Sequence, residues 1–284
     1  MIYDIIIIGT GPAGIASAIQ LKRFGINPLV IEKHRFGGLL RNANLVENYL
    51  GFPRGLSGVK FTNLMKKQFD KYAIDIVYEN VTNINYNKNC EFIVQTNRYK
   101  HKSSYVIIAT GTKPKKPDLI INNNIKNKVF YDVYDLLNAK NKHIAIIGAG
   151  DAAFDYAINL SKKNNIIKIL NRGNKIKAIK LLRDRCDKIK NIEYLENISV
   201  KKIEPDKNPK KIKLTTNSSQ KIVVDYFLVA IGREPNLDIL EERLKNNDRL
   251  FIIGDAKNGV LRQTAIAVGD GLKVAQKIFK LITE

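Results

Sequence analysis

Three glycines and one acidic residue near the start of the chain have the spacing of a dinucleotide-binding motif. Gly9, Gly11 and Gly14 make a GxGxxG pattern, and Glu32 follows 23 residues after the first of them. In this pattern the first glycine allows a tight turn, the second lets backbone approach a pyrophosphate, and the third lets helix and strand pack closely. The phosphates lie at a helix N-terminus, where free N–H groups and the helix dipole favour negative charge. Glu32 can then accept hydrogen bonds from ribose hydroxyls.

The same pattern recurs in the middle of the chain with two changes. Gly148 and Gly150 repeat the first two glycines, and Ala153 takes the third position, which is a permitted variant. The residue 23 positions after Gly148 is Asn171 instead of an acid. A carboxylate that would repel a 2′-phosphate is therefore absent, which favours NADPH over NADH. The cations that could contact such a phosphate are Arg172, Lys175 and Lys177.

Each motif lies between two apolar runs that are typical of buried parallel strands, so each is predicted to belong to a βαβ unit. The first unit is formed by "YDIIII", "IASAIQLKRFG" and "NPLVIEK", and the second by "KHIAII", "DAAFDYAINLSKKNN" and "IIKILNR". Further strands are predicted in "EFIVQTN", "SYVIIATGTKP", "DYFLVAIGREPN" and "LFIIGDAKNG", and a closing helix in "RQTAIAVGDGLKVAQKIFKLI". Along the chain, the segments of the first βαβ unit come first, those of the second unit follow, and the last segments return to the sheet of the first unit.

These elements predict an α/β fold of two Rossmann-like dinucleotide-binding domains, with the second domain inserted in the first. The segments "GTKPKKP" and "GREPN" contain prolines and are predicted to be the two crossings between the domains. The first domain is predicted to comprise residues 1–113 and 236–284, and the second residues 114–235.

The composition predicts a soluble cytoplasmic protein without a metal site. Apolar residues make up 44% of the chain, and no apolar run approaches the roughly 18 residues that a membrane span needs. The first predicted strand starts at Ile2, which leaves no room for a signal peptide. Cys90 and Cys186 have no CxxC or metal-ligand spacing, which fits a reducing compartment. The three histidines are scattered and are predicted to be structural or solvated.

The formal net charge of +21 has two interpretations. Lysine outnumbers arginine by 36 to 12 and is spread along the whole chain, often in Asn- and Lys-rich tracts such as "NNNIKNK". A nucleic-acid surface usually favours arginine and groups its charge on one element, so a nucleic-acid partner is not expected. The charge is therefore either a compositional bias or a means of steering an acidic partner protein.

Eight motifs in order resemble the thioredoxin-reductase-like branch of the pyridine nucleotide-disulfide oxidoreductase superfamily, whose members are two-domain flavoproteins. The motifs are "GTGPAG", "FGGLL", "VENYLGFP", "ATG", "GAGDAA", "AIGREPN", "IGD" and "RQTAIA", and the whole match runs from residue 2 almost to residue 280. The resemblance implies that the first motif binds FAD and the second NADPH or NADH. It also implies an NAD(P) domain inserted in the FAD domain, and a homodimer that pairs through the FAD domain.

The resemblance assigns roles to residues at matching positions. Gly37 and Gly38 would approach the FAD pyrophosphate, Asn48 would lie beside the isoalloxazine, and Asp255 would bond the ribityl chain or phosphate. Donors at the N-terminus of the last helix would stabilise negative charge on the pyrimidine end of the ring. The alternative is that Asn48 caps a turn and Gln263 lies on a surface. The implied FAD residues are Gly9, Gly11, Pro12, Ala13, Gly14, Glu32, Lys33, Gly37, Gly38, Leu40, Asn48, Val81, Ala109, Thr110, Gly111, Gly254, Asp255, Arg262, Gln263 and Thr264. The implied NAD(P) residues are Gly148, Gly150, Asp151, Ala152, Ala153, Asn171, Arg172, Lys175, Lys177, Ile231 and Gly232.

One departure from the family pattern changes the predicted chemistry. Thioredoxin reductases hold a redox CxxC followed by an acid before the second domain's first strand, but here that place reads "YDVYD". Tyr131 and Tyr134 stand where the sulfurs would be, and Asp135 keeps the acid. The tyrosines either pack at the domain junction, or one of them stacks on the flavin or shapes an acceptor site. Asp135 could deliver a proton or lie exposed in a helix's first turn. Leu39, where many relatives have a polar residue, and the compact stretch 236–250 are smaller departures.

The sequence therefore predicts an FAD-dependent NAD(P)H oxidoreductase without an active-site dithiol. Such an enzyme passes electrons between NADPH and an external acceptor, and needs no general base or nucleophile. The favoured acceptor is a ferredoxin- or flavodoxin-type carrier, whose acidic surface would suit a basic chain. The alternatives are an NAD(P)H oxidase or a quinone or other small-molecule reductase. A flavin-binding protein with an interaction or regulatory role is a third hypothesis.

Overall fold

The computed structural model describes residues 2–87 and 91–284, and Cys90 lies outside this part. The strands are β1 Ile2–Ile8, β2 Leu29–Glu32, β3 Ile76–Tyr78, β4 Val81–Tyr86, β5 Phe92–Thr96, β6 Lys100–Ile108, β7 Thr112–Pro114, β8 Ile120–Ile121, β9 Val129–Phe130, β10 His143–Ile147, β11 Ile166–Leu170, β12 Ile192–Leu195, β13 Val200–Pro205, β14 Ile212–Thr216, β15 Lys221–Val224, β16 Tyr226–Val229, β17 Arg233–Pro235 and β18 Leu250–Ile252. The α-helices are α1 Pro12–Arg23, α2 Gly58–Lys71, α3 Asp151–Ser161, α4 Lys180–Asp187 and α5 Thr264–Thr283. Short 3₁₀ turns cover Gly38–Asn42, Asn123–Lys128, Val133–Leu136, Glu242–Leu244 and Gly254–Ala256.

The chain divides into two compact units whose limits differ from the predicted domains at two places. The first unit comprises Met1–Arg41, Val46–Lys113 and Glu234–Glu284, and the second comprises Asn42–Leu45 and Pro114–Arg233. The return to the first unit therefore follows Arg233, two residues before the predicted boundary. Residues 42–45, which the sequence placed in the first domain, belong to the second unit.

Carboxylates of the second unit explain why residues 42–45 belong to it. Asn42 Nδ2 donates to Asp132 Oδ1 at 3.1 Å, and the Asn44 N–H donates to Asp155 Oδ2 at 2.9 Å. These partners are 90 and 111 residues away along the chain. No local sequence pattern could therefore have assigned this short segment.

The first unit is built around a seven-stranded sheet in the order β3-β2-β1-β6-β5-β4, with β18 also paired to β6. Strand β1 is parallel to β2 and β6, whereas the β4–β5 and β5–β6 pairs are antiparallel. Strand β1 carries four consecutive buried isoleucines, as expected of a parallel strand that is covered on both faces. Helices α1 and α5 pack against each other, and the rings of Phe24 and Phe279 stack with centroids 4.4 Å apart.

The second unit holds a parallel sheet in the order β12-β11-β10-β16-β9 and a four-stranded sheet in the order β15-β14-β13-β8. Alternate residues of β10 point to two different cores. Ile144 and Ile146 pack with residues of α3 and α4, whereas Ala145 packs with residues of the four-stranded sheet. The five-stranded sheet is therefore covered on both faces, which explains its apolar strands.

Most predicted segments contain an element of the predicted type, with shifted ends. Helix α1 begins at Pro12, before the predicted segment, because proline is favoured at the first helical position. The compact stretch 236–250 holds one short 3₁₀ turn, Glu242–Leu244, before β18 begins. No helix among the described residues is long and apolar enough to cross a membrane.

Candidate functional site

The first fingerprint loop, residues 9–14, is held by contacts that leave no room for side chains at two positions. A Cβ added to Gly9 would lie 2.5 Å from the carbonyl oxygen of Ala109, and one added to Gly14 would lie 2.0 Å from the oxygen of Gly9. The Gly9 N–H also donates to Ile31 O at 2.8 Å. The loop therefore lies tightly between the carboxyl ends of β1, β2 and β6.

Open space lies beside the middle glycine of this loop. A Cβ at Gly11 would meet no atom within 4 Å, and Gly11 gives no side-chain cap to the N-terminus of α1. The nearby Gly37–Gly38 segment is tied to the loop, because the Gly37 N–H donates to Thr10 O at 2.9 Å. A Cβ at Gly38 would lie 3.2 Å from Gly11 Cα. Bare backbone and an uncapped helix N-terminus fit a pyrophosphate at this place.

Glu32 is buried at the end of β2, and both of its carboxylate oxygens accept hydrogen bonds. Oε2 accepts from the Thr10 N–H at 2.9 Å and from Thr10 Oγ1 at 2.6 Å, and Oε1 accepts from the His34 N–H at 2.8 Å. These donors orient the carboxylate beside the first fingerprint loop. Because a carboxylate offers about four acceptor sites and three are used here, Oε1 keeps the capacity to accept one further hydrogen bond from a ribose hydroxyl.

Two amides that were predicted to border the flavin meet each other in the first unit. Asn48 Nδ2 donates to Gln263 Oε1 at 2.7 Å, across 215 residues of sequence. Both residues are exposed, and Gln263 precedes the first residue of α5, Thr264, without capping the helix by its side chain. The sequence alternative in which Asn48 only caps a turn does not describe this contact. Arg262 is the residue directly before Gln263.

Asp270, which was not predicted, positions the loop that carries Asp255. Its Oδ2 accepts from the Gly254 N–H at 3.0 Å and from Asn258 Nδ2 at 2.6 Å. Asp255 itself lies in the turn Gly254–Ala256. A carboxylate between two glycines in the closing helix, "AVGDGL", was a visible signal that the sequence reasoning did not use.

The other predicted FAD residues divide by burial. Thr110 Oγ1 donates to Asn236 O at 2.6 Å, and the Asn236 N–H donates to Gly111 O at 3.0 Å, which ties this turn to the returning chain. Val81 packs in the core of the first unit. The buried members are Ala13, Leu40, Val81 and Ala109, Pro12 is half-buried, and Lys33 is exposed.

The second fingerprint loop, residues 148–153, repeats the backbone contacts of the first. A Cβ at Gly148 would lie 2.2 Å from Ala230 O, and a Cβ at Gly150 would meet no atom within 4 Å. Ala153 is completely buried, so its methyl group fits where the first loop needs a glycine. Asp151 Oδ1 accepts from the Ile179 N–H at 2.8 Å, whereas Ala152 is exposed.

The cation loop, residues 171–178, is attached to this second fingerprint loop. The N–H groups of Lys177 and Ala178 donate to Ala149 O at 2.8 and 3.0 Å. Asn171 is buried, and its Nδ2 donates to Lys175 O at 3.2 Å and to Tyr194 Oη at 2.8 Å. The amide that was predicted at the nucleotide therefore holds the cation loop in shape. The cationic side chains that the loop exposes are Arg172, Lys175 and Lys177, and Ile231 and Gly232 are exposed shortly after the end of β16.

The segment that replaces the redox dithiol is held by the second unit. Tyr131 packs against the core beside the four-stranded sheet, and the Tyr134 N–H donates to Asn42 Oδ1 at 3.1 Å. Arg233 Nη1 donates to Asp132 Oδ1, between the tyrosines, at 3.1 Å. Asp135 is exposed in the first turn of Val133–Leu136. The packing of Tyr131 favours a structural role for this tyrosine.

The one cysteine among the described residues is not poised for redox chemistry. Cys186 is free and buried, and Sγ faces Phe154 O at 3.6 Å. Burial raises the pKa of this thiol to about 12, and the charges of Asp187 and Asp155 add to the rise. A thiolate, which is the reactive form, is therefore suppressed. The described residues also contain no cluster that could hold a metal ion.

Asp155 is a second titratable group that the sequence did not single out. Burial raises its pKa to about 6, although the Asn44 hydrogen bonds and the positive charges of Lys162 and Arg185 oppose the rise. Lys162 Nζ in turn donates to Asn44 Oδ1. The Asp155 carboxyl group therefore has a pKa of about 6, and one of its oxygens accepts a hydrogen bond from the backbone N–H of Asn44.

The geometry defines a class of protein: two Rossmann-like units, each with an open glycine loop at the carboxyl ends of parallel strands. The family model described as pyridine nucleotide-disulphide oxidoreductase matches residues 3–282. The thioredoxin reductase of Buchnera aphidicola subsp. Schizaphis graminum is 34% identical over 94% of this chain and 88% of its own length. The chain therefore belongs to the pyridine nucleotide-disulphide oxidoreductase family, and its thioredoxin reductase relatives use FAD and NADPH.

Two further comparisons agree with this membership. The crystal structure of T. acidophilum thioredoxin reductase matches with a TM-score of 0.85 and 26% identity, and covers 99% of both chains. A Clostridium pasteurianum protein described as a "34.2 kDa protein in rubredoxin operon" is 27% identical over 98% of this chain and 97% of its own length. The two-domain α/β fold and the FAD-dependent pyridine nucleotide oxidoreductase class that the sequence predicted are confirmed.

Proposed function

We propose that the protein oxidises NADPH at a bound FAD and passes the electrons directly to a separate acceptor, without a dithiol relay. The observation that carries this proposal is the pair of open fingerprint loops combined with tyrosines at the dithiol positions. One NADPH supplies two electrons and leaves NADP⁺ and one proton. Two one-electron carriers, or one two-electron acceptor, are therefore reduced in each turnover.

The first unit supplies binding and orientation for FAD. Gly11 and the N-terminus of α1 would hold the pyrophosphate, and Glu32 would hold a ribose. Asn48 and Gln263, joined at 2.7 Å, would border the ring system, with the N-terminus of α5 beside them. A bound FAD would supply the two-electron chemistry, accepting hydride and releasing single electrons or pairs. The chain would contribute position and a favourable field for negative charge.

The second unit is proposed to prefer NADPH over NADH. Asn171 carries no charge to repel a 2′-phosphate, and it holds the cation loop against Ala149 of the second fingerprint loop. Arg172, Lys175 and Lys177 are exposed on that loop. Guanidinium and ammonium groups bind phosphate by charge-assisted hydrogen bonds, so this loop favours the phosphorylated nucleotide.

The proposed acceptor is a small acidic electron-carrier protein of the ferredoxin or flavodoxin type. The net charge of +21 would attract such a partner over long distance. The description of the Clostridium relative, which places it in a rubredoxin operon, also suggests an electron-carrier partner. Because Tyr131 and Tyr134 cannot exchange with a disulfide, a thioredoxin substrate is not expected.

A homodimer in the cytoplasm is also proposed. A groove of about 350 Å³ in the first unit lies among α1, α2 and α5, and its apolar lining includes Ile19, Leu64 and Leu272. A second copy is the proposed occupant of this groove. The free thiol of Cys186 supports a reducing compartment. Sedimentation equilibrium tests the dimer, and a monomer at micromolar concentration would contradict it.

Anaerobic titration of the FAD-loaded protein tests the central proposal. We expect NADPH to bleach the visible flavin absorbance quickly, and NADH to do so more slowly. Ferredoxin, flavodoxin, a quinone and air are then compared as reoxidants, with salt added to screen steering. Bleaching by neither nucleotide would refute the proposal and leave a flavin-binding interaction or regulatory role. Faster reoxidation by a quinone or air than by either carrier would assign a small acceptor instead.

A further inference from the structure

Three of the four most exposed large apolar side chains among the described residues lie in two short loops of the first unit. Leu50 is 93% exposed, Val260 is 88% exposed, and Leu261 is 67% exposed. Single exposed aliphatic residues are common on proteins, but a cluster in water usually marks an interaction surface. We call these three residues the apolar rim.

The apolar rim flanks the contact between Asn48 and Gln263. Leu50 is two residues after Asn48, and Val260 and Leu261 come three and two residues before Gln263. Because the two amides are hydrogen-bonded at 2.7 Å, the two loops that carry the rim must lie next to each other. The rim therefore lies beside the edge where the proposed function places the flavin ring.

Both loops contain glycines that shape the backbone next to the rim. Gly51 follows Leu50 with φ +96°, and Gly259 precedes Val260 with φ +56°. Residues with a Cβ rarely adopt such positive φ angles, whereas glycine does so without strain. Aromatic contacts support the first loop from behind, because the Tyr49 and Phe61 rings pack edge to face at 4.8 Å. The backbone conformation of the two loops therefore holds the rim side chains in solvent.

We infer that the apolar rim is the docking surface for the acidic electron-carrier protein, an inference that rests on the proposed function. A small acceptor is bound in a concave site that buries most of its surface, whereas the three rim side chains line neither groove found among the described residues. The exposed cations Arg54 and Lys257 lie in the same two loops together with the exposed acid Glu47, and the whole chain carries +21. An apolar centre on a strongly basic chain matches a carrier that has an acidic border around its own redox group.

The rim also suits the kinetics of electron transfer between proteins. Transient redox complexes bury little surface, under about 1,200 Å², so a few apolar side chains supply much of their affinity. Long-range attraction by the basic chain raises the association rate, and the small apolar contact keeps dissociation fast. The rim would therefore decide how tightly the carrier binds.

The test compares the double variant Leu50→Ser, Val260→Ser with the control Ile120→Ser, all in the FAD-loaded full chain. Ile120 is an aliphatic residue of the second unit that is 74% exposed and far from the rim in sequence. Four quantities are measured: anaerobic bleaching by NADPH, NADPH–ferricyanide turnover, calorimetric Kd for a ferredoxin and a flavodoxin, and sedimentation mass.

We expect the double variant to raise the carrier Kd and the KM for carrier reduction at least tenfold, a change of about 1.4 kcal/mol. Bleaching, ferricyanide turnover and mass should match those of the wild type and of Ile120→Ser. Unchanged carrier binding would overturn the inference. A lower sedimentation mass would also overturn it, because the rim would then belong to a contact between copies. Wild-type protein that bleaches with NADPH yet binds neither carrier would refute the docking surface alone, whereas absence of bleaching would refute the proposed function.

Discussion

The two fingerprint loops use the same backbone contacts and differ in the side chains around them. In each loop the first glycine faces a carbonyl oxygen at the end of a neighbouring strand, Ala109 O for Gly9 and Ala230 O for Gly148. In each loop the middle glycine opens onto free space. Topology and glycine therefore determine where a pyrophosphate can lie, and they do so identically in the two units.

The difference lies at the end of the second strand of each unit. Glu32 is a carboxylate that backbone and hydroxyl donors orient beside its loop. Asn171 occupies the matching position, but its amide is turned inward and the cation loop is exposed instead. One scaffold can thus be adapted to different nucleotides by a single charged position and the loop that follows it.

The largest effect is expected from exchanging the third residue of the two loops. Gly14→Ala should destabilise the first unit by about 1–3 kcal/mol and sharply reduce retained FAD, because its Cβ would lie 2.0 Å from Gly9 O. The matched change Ala153→Gly should cost about 1 kcal/mol or less. Flavin per chain after gel filtration and urea unfolding measure both effects. Full FAD retention by Gly14→Ala would show that the two loops are not as different as the structure indicates.

A smaller effect is expected from two substitutions that test separately how the cation loop binds phosphate and how it keeps its shape. Arg172→Ala should raise the KM for NADPH about 10- to 100-fold and leave that for NADH unchanged, because a charge-assisted hydrogen bond is lost. Asn171→Ala should impair both nucleotides, because its amide holds the cation loop. Steady-state kinetics with both nucleotides distinguish the variants. Equal losses for NADPH and NADH in Arg172→Ala would contradict the role of this cation.

A third expected effect concerns Asp155, whose counterpart in the first unit, seven residues after the first glycine, is Ala16. The folded pKa of Asp155, about 6, exceeds the ordinary aspartate value of 3.8. The folded state therefore holds its proton more tightly, so stability falls as pH rises from about 4 to 6. Asp155→Asn removes this loss and keeps an oxygen that can accept from Asn44.

The variant should match the wild type at pH 4 and exceed it above pH 6.5 by up to about 3 kcal/mol. Urea unfolding at several pH values measures this difference. Ala16→Ser, in the first unit, serves as the control that should show no such pH dependence. A stability difference between Asp155→Asn and wild type that is constant from pH 4 to 8 would rule out titration of Asp155 as its cause.

The smallest effect on the reaction with NADPH is expected from substituting Cys186, the thiol of the second unit. In a Cys90→Ser background, Cys186 should react with a thiol reagent at pH 8 far more slowly in the folded than in the unfolded chain, because burial raises its pKa to about 12. Cys186→Ser in the same background should leave flavin bleaching by NADPH unchanged. Loss of bleaching would mean that a thiol takes part in the reaction after all.

Much of this arrangement could be predicted because each sequence signal lies within one short segment of the chain. The glycine spacing, the apolar strands and the acid or amide 23 residues later all report on one βαβ unit each. Asp270 was missed although it lies only 16 residues from Gly254, whereas the Asn44–Asp155 contact was missed because its partners lie 111 residues apart. Residues 42–45 were assigned to the wrong unit for the same reason. The inward hydrogen bonds of Asn171 could not be foreseen, since sequence shows which group stands at a position but not which way it points.

The sequence by itself determined that the chain has two dinucleotide motifs, only two cysteines and no dithiol, because residue type and local spacing suffice for each of these. Only the tertiary structure decided that Asn48 meets Gln263, that Asn171 turns inward, and that the rim residues stand in water. Those features depend on which distant segments are brought together and on how each side chain is then solvated. Spacing along a chain carries no information about either.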